Sequence, residues 1–160
     1  MSKFVTTSPA DEPIIVMTRT LNAPRALVWE AWTNPKHVEK WWGPHKYKVV
    51  VLTFDFRPGG AWRIEHRGPD GEVYTFKGTY REIVEPEKIV NTFGVEGMFD
   101  GKEGLESHFF EEVDGRTHYK AVSRFDTFEE RDGLIASGME VGANESFDRL
   151  EELLAELRKT

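Results

Sequence analysis

Two histidines of this chain occupy strand positions with apolar neighbours. His66 alternates with Trp62 and Ile64 along one predicted strand, and His108 shares a strand face with Phe110. Imidazole titrates near neutral pH, so a histidine in a pocket can orient a polar ligand or act as a general acid or base. The alternative is a strand-end histidine whose polar atoms are satisfied by backbone or water. The residues leave both interpretations open.

No catalytic motif accompanies these histidines. The chain has no cysteine, no G-x-S-x-G elbow, no phosphate-binding loop and no H-E-x-x-H pair. The histidines show no i, i+4 spacing and no acid-rich cluster around them, so we expect neither a metal nor a cofactor. Tyr119 and Ser146 can add hydroxyl groups to a pocket. We therefore name no catalytic residue and favour a binding protein over an enzyme.

Trp41 and Trp42 stand side by side immediately before Gly43-Pro44. With Val38 they form one stripe of a short predicted helix, because residues at i, i+3 and i+4 share a helix face. One indole is expected to hold this helix on the core, and the other to cover the mouth of a pocket. The alternative is that both indoles only pack.

Hydrophobic periodicity predicts an α+β fold of order β-αα-β×6-α. We expect a flexible N-terminal arm over residues 1–13 and a single domain over 14–160, with two short helices between strands one and two. A curved antiparallel sheet of six or seven strands should wrap around a long helix over about 129–158. The segment 96–104, with Met98 and Phe99, is a candidate lid.

The apolar stripe of the C-terminal helix is uneven. Its second half is large, with Phe147 and leucines, whereas its first half, which begins at Ile135 and includes Met139, has small residues at Ala136, Ala143 and Ser146. Large side chains fill the space between helix and sheet, and small ones leave it open. Either a cavity remains at that end, or aromatic residues of the sheet, such as Phe76, fill it.

Composition excludes several classes of protein. The chain has 160 residues, 39% of them hydrophobic and 31% charged, with a net charge of −7. These values suit a globular domain and argue against a nucleic-acid binder, which needs a basic face. No apolar run is long enough for membrane insertion. With no signal-peptide pattern and no cysteine, we expect a cytoplasmic protein, monomeric or homodimeric.

Three stretches carry a family resemblance. RALVWEAWTNPKHVEKWWGP, RPGGAWRIEHRGPDGEVYTFKGTYREIVEPEKIV and GMEVGANESFDRLEELLAEL resemble, in this order, the family named for the activator of Hsp90 ATPase (AHSA1, C-terminal-like type). That family belongs to the START/Bet v 1-like (SRPBCC) superfamily. The resemblance implies a helix-grip fold, in which the sheet grips the C-terminal helix around a pocket. Family members often carry a large aromatic residue where this chain has Ala143 and leucine where it has Phe147, so the pocket should be reshaped here.

These observations favour binding of a small hydrophobic or aromatic molecule between the sheet and the C-terminal helix. An enzyme acting on a polyketide-like or aromatic ligand is one alternative, since the superfamily that the chain resembles includes cyclases. A module that contacts an Hsp90-type chaperone is another. The residues expected to line the pocket are Trp41, Trp42, Trp62, Ile64, His66, Phe76, His108, Phe110, Tyr119, Met139, Ala143, Ser146 and Phe147.

Overall fold

The strands form one antiparallel sheet in the part of the chain that the computed structural model describes, residues 3–97 and 101–159. In chain order they are β1 (Val5–Thr7), β2 (Ile14–Leu21), β3 (Lys48–Phe54), β4 (Ala61–Arg67), β5 (Val73–Val84), β6 (Lys88–Val95), β7 (Gly104–Val113) and β8 (Arg116–Arg124). Their order across the sheet is β1-β2-β8-β7-β6-β5-β4-β3. Bulges shift the register after Val51 and after Tyr80, and such bulges bend a strand.

The helices lie in two pairs along the chain. α1 (Arg25–Thr33) and α2 (Pro35–Trp41) follow β2, and α3 (Phe128–Ala136) and α4 (Met139–Leu157) follow β8. Asn34 begins α2 by accepting a hydrogen bond from the Lys36 amide, and Pro35 occupies the first turn. Among the described residues, no helix is both long and apolar enough to cross a membrane.

The described residues form eight strands, more than the six or seven that we predicted. The extra strand is β1, in the N-terminal segment for which we expected a flexible arm. β1 pairs with β2, and the preceding Phe4 is only 7% exposed because it packs against Phe147 at 4.6 Å between ring centroids. A run of three residues is too short to show the alternation of apolar and polar side chains by which a strand is predicted. The two short helices therefore lie between the second and third strands.

The predicted single C-terminal helix is two helices. α3 ends at Ala136 and α4 begins at Met139, with Gly138 between them at a φ of +83°. Glycine adopts this left-handed conformation without steric cost and commonly ends a helix. The apolar periodicity of the sequence continues across Gly138, which is why it suggested one helix. Ile135 and Ala136 are consequently exposed and do not extend the buried stripe of α4.

Different elements cover different strands on the inner face of the sheet. α4 contacts β2 and β8, through the ion pair of Asp148 with Arg19 and through ring packing of Phe147 on Tyr119. α1 places Trp32 against His108 of β7. Beyond α1, the residue that follows α2, Trp42, reaches over β4 and β5. The candidate site lies in this second half of the molecule.

Candidate functional site

A cavity of about 70 Å³ lies between the α1–α2 pair and the sheet. Its lining is mostly aromatic and aliphatic, with a few polar side chains on the sheet side. The lining residues are Trp32, Val38, Trp41, Trp42, Phe54, Trp62, Ile64, Tyr80, Ile89, Asn91, Phe93, Glu106 and His108. An apolar cavity with a small number of polar groups is typical of a small-molecule site.

Trp32 separates this cavity from the core beneath α4. Its ring centroid lies 4.7 Å from Trp41, 5.0 Å from Tyr119 and 5.5 Å from Phe147. Tyr119 and Phe147 therefore pack against Trp32 without lining the cavity, whereas Trp32 and Trp41 belong to both the core and the cavity wall. None of the residues lining this cavity comes from α4.

Three polar side chains meet on the sheet side of the cavity. Asn91 Nδ2 donates to Glu106 Oε1 at 3.3 Å, and the same carboxylate oxygen lies 3.6 Å from His108 Nε2. His108 Nδ1 is 2.6 Å from the hydroxyl of Tyr119. Burial raises the pKa of Tyr119 well above its usual value, and the charge of Glu106 adds to the increase. Tyr119 therefore stays protonated and donates to Nδ1, which leaves Nε2–H facing Glu106.

Trp62 lines the same cavity with its ring, but its indole N–H faces packed atoms. Its Nε1 is inaccessible to solvent and finds no acceptor among the described residues. The indole lies close over β5, because a Cβ atom on Gly78 would come within 2.6 Å of Nε1. A buried N–H without an acceptor is unfavourable by about 1–3 kcal/mol. Because Nε1 has no accessible surface, a molecule in the cavity does not reach it unless the ring moves.

The Trp41–Pro44 turn forms one side of the cavity. Trp41 is 2% exposed and donates its indole N–H to the carbonyl of Ala31, which holds α2 on α1. Trp42 is only partly buried, and its ring packs edge-on against Trp62, His66 and Phe76 at centroid distances of 6.0, 5.1 and 5.2 Å. Trp42 thus covers the part of the sheet that neither α1 nor α4 reaches.

Side chains from two elements hold this turn. From α4, Ser146 Oγ donates to the Trp41 carbonyl and accepts from the Gly43 amide, and Arg149 donates to the Gly43 carbonyl. From β4, His66 Nε2 lies 3.1 Å from the Trp42 carbonyl and donates to it. Burial, with a contribution from the charge of Arg149, lowers the pKa of His66 to about 4. His66 is therefore neutral at physiological pH.

The sequence matches the profile of the family described as activator of Hsp90 ATPase homolog 1-like protein over residues 22–155. The chain belongs to this family. The matched range contains α1, α2, α3, all of α4 but its last two residues, and every strand except β1 and β2. No curated protein gives a significant sequence match.

Solved structures support the same family fold. Protein Ms6760 of Mycobacterium smegmatis has a TM-score of 0.86 at 24% identity, covering 96% of this chain and 97% of its own. A Rhodobacter sphaeroides protein has a TM-score of 0.88 at 22% identity, covering 96% and 99%. An activator of Hsp90 ATPase homolog 1-like protein (AHSA1) of Silicibacter pomeroyi has a TM-score of 0.73 at 19% identity, covering 89% and 97%. At these identities the likeness shows the helix-grip fold alone.

Some of the residues that we predicted for a pocket line the cavity of this family member, and others do not. Trp41, Trp42, Trp62, Ile64 and His108 are among its lining residues. The others do not line it: His66, Phe76, Phe110, Tyr119, Met139, Ala143, Ser146 and Phe147. The cavity therefore lies under α1 and α2, and Met139 and Ala143 instead pack against the core from α4. The candidate lid residues Met98 and Phe99 lie outside the described residues.

Sequence reasoning missed Glu106 and Asn91. Both signals were present, because Glu106 precedes His108 by two positions and so shares its strand face. Asn91 is the direct cross-strand partner of Glu106. A carboxylate and an amide on an otherwise apolar face mark the polar end of the site. Within the described residues, the side chains of His, Asp and Glu form no cluster of three suited to a metal.

Proposed function

We propose that this protein binds a small, largely apolar molecule in the cavity between the α1–α2 pair and the sheet. The observation that carries the proposal is the composition of the cavity wall: tryptophans and phenylalanines surround the space, and the polar atoms of Asn91, Glu106 and His108 converge at one end. The apolar rings supply affinity by burial, and the polar end fixes the orientation of the ligand.

The dimensions of the cavity restrict its occupant. A volume of about 70 Å³ is small beside the roughly 300–1,000 Å³ of sites that enclose drug-sized ligands. The ligand is therefore compact, or Trp42 moves outward to admit a larger one. The partial exposure of Trp42 supports an entrance at this residue.

A cavity-filling substitution tests the proposal. Ile64 lies on β4, is buried and lines the cavity. We expect Ile64→Phe to place its added atoms in the cavity, to change the free energy of unfolding by less than about 1 kcal/mol, and to reduce binding of the compact neutral probe phenol, followed by tryptophan fluorescence. Fluorescence titration and urea denaturation measure the two effects, and native mass spectrometry detects any molecule retained by the wild type.

Ile15→Phe is the matched control. Ile15 lies on β2 in the packed part of the core, and it does not line the cavity. The same change there should overpack the core and destabilise the protein by about 1–3 kcal/mol. If Ile64→Phe is destabilised as much as Ile15→Phe, and the wild type binds no probe, the cavity is not a ligand site.

A second candidate function is proton transfer to or from the bound molecule. It is favoured by the 2.6 Å contact between His108 and Tyr119 beside the Glu106 carboxylate, since an imidazole positioned in this way can act as a general acid or base. Incubation of the protein with any retained molecule in deuterated water, followed by mass spectrometry, separates the two functions. Deuterium incorporation that is lost in His108→Gln would indicate an enzyme.

A further inference from the structure

We propose that the ligand of this cavity carries a positively charged nitrogen, as in a small quaternary or alkylated ammonium ion. This inference rests on the proposed function, since it names the chemical class of the ligand. The wall combines one carboxylate, that of Glu106, with tryptophans from three different elements. Aromatic rings with a carboxylate form the kind of enclosure in which organic cations are bound.

The described residues that line the cavity include a negatively charged side chain and no lysine or arginine. The negative charge is the carboxylate of Glu106. Glu106 contacts Asn91 and His108, both polar side chains of the sheet, at 3.3 and 3.6 Å. The side chain is 27% exposed, so it borders both the cavity and solvent. A cation that enters the cavity therefore meets a carboxylate that the wall does not neutralise with a fixed positive charge.

The aromatic part of the wall suits the apolar substituents of such a cation. Trp32 belongs to α1, Trp41 and Trp42 lie at the end of α2, and Trp62 belongs to β4. The face of an indole attracts a cation more strongly than that of any other side chain, and each favourable contact strengthens when water is excluded. An anion would gain nothing from these faces and would be repelled by Glu106.

The size of the space restricts this class of ligand to compact cations. A cavity of about 70 Å³ holds only a small head group, and a larger one requires Trp42 to move outward.

The experiment compares two probes that differ only in charge. Choline and its uncharged carbon analogue, in which a tert-butyl group replaces the trimethylammonium group, are titrated into the protein by calorimetry and by tryptophan fluorescence. We expect choline to bind at least about tenfold more tightly than the carbon analogue. Glu106→Gln preserves the size of the side chain and the acceptor for Asn91, and it should remove this preference without changing the melting temperature strongly.

Glu111→Gln is the matched control variant. Glu111 lies on the same strand, is exposed, and points to the opposite face because it is an odd number of residues away from Glu106. It loses the same charge and should leave the choline affinity unchanged. Equal binding of both probes, or an undiminished preference in Glu106→Gln, would overturn the cationic ligand while leaving the proposed function intact. If neither probe binds at millimolar concentration, the cationic class is likewise wrong, and binding of phenol decides the proposed function separately.

Discussion

His66 is a buried neutral residue whose protonation opposes folding. Its pKa is lowered to about 4 by burial and by the charge of Arg149, whereas an imidazole in the unfolded chain titrates near 6.5. Between these values the unfolded chain binds more protons than the folded one. The stability that neutral His66 provides is therefore complete above about pH 6.5 and is lost as the pH falls toward 4.

We expect the free energy of unfolding to decrease by about 1–2 kcal/mol between pH 7 and pH 5 because of this residue. Urea denaturation across this range measures the decrease. His66→Gln is the comparison, because its amide can still donate to the Trp42 carbonyl but does not titrate. The variant should show a shallower pH dependence than the wild type. Parallel pH profiles would show that His66 does not cause the loss.

Gly43 is required both by its backbone angle and by its contact with His66. Its φ is +114°, and a Cβ atom here would lie 2.4 Å from the imidazole Cε1 of His66. We expect Gly43→Ala to destabilise the protein by about 2–4 kcal/mol, measured by urea denaturation. Gly71→Ala provides the control, because Gly71 has a φ of +85° with no atom within 4 Å of the added Cβ. Gly71→Ala should be destabilised by backbone strain alone, and therefore by less than Gly43→Ala.

At the scale of elements, α4 fixes the Trp41–Pro44 turn through one buried hydroxyl group. Ser146 Oγ is 2.8 Å from the Trp41 carbonyl oxygen and 2.9 Å from the Gly43 amide nitrogen. Ser146→Ala removes the partner of both backbone groups. A buried backbone group left without a partner costs about 1–3 kcal/mol, so we expect a loss of stability in that range.

Ser137→Ala is the control for this element. Ser137 is exposed at the end of α3, and its hydroxyl donates to the Leu134 carbonyl within the same turn. We expect a change below about 0.5 kcal/mol, as for most surface substitutions. Urea denaturation and tryptophan fluorescence follow both variants. A Ser146→Ala protein as stable as Ser137→Ala would mean that water or a shift of the turn replaces the hydroxyl.

At the scale of the whole molecule, the N-terminal segment closes the half of the core that lies away from the cavity. Phe4 packs edge-on against Phe147, its amide donates to Asn144 Oδ1, and the Arg19 guanidinium lies 5.7 Å from its ring. We expect Phe4→Ala to reduce the free energy of unfolding by about 2–4 kcal/mol. Val5→Ala, at a side chain that is 63% exposed, should have little effect. Equal stability of the two variants would show that the segment is a loose arm after all.

Local features of the fold could be predicted because their causes are local. Asn34-Pro35 begins a helix, and Asp114-Gly115 closes the hairpin of β7 and β8, in which Val113 pairs with Arg116. Alternation correctly placed Trp62, Ile64 and His66 on one face, since all three are buried. The break at Gly138 and the three-residue strand β1 were missed. β1 depends on pairing with β2, whereas the break at Gly138 was hidden because the apolar periodicity continues across it.

The candidate site was only partly predictable, for a related reason. Periodicity along a strand decides which side chains share a face, and it therefore placed Trp62 and His108 correctly among inward-facing residues. It does not decide which helix lies over that face. Trp32 separates the rings under α4 from the cavity, and its position depends on how α1 packs against β7 and α4 at once.

The sequence by itself determined the family, the α+β class, the hairpin order and the inner face of strands such as β4, because each of these depends on spacing over a few residues or on motifs that are contiguous in the chain. Only the tertiary structure decided that the cavity lies beneath α1 and α2 and that Glu106, His108 and Tyr119 form one connected group. Empty space is what remains after distant side chains have packed. Its place is set by the volumes of residues as far apart in the chain as Trp32 and Phe147, which no local pattern records.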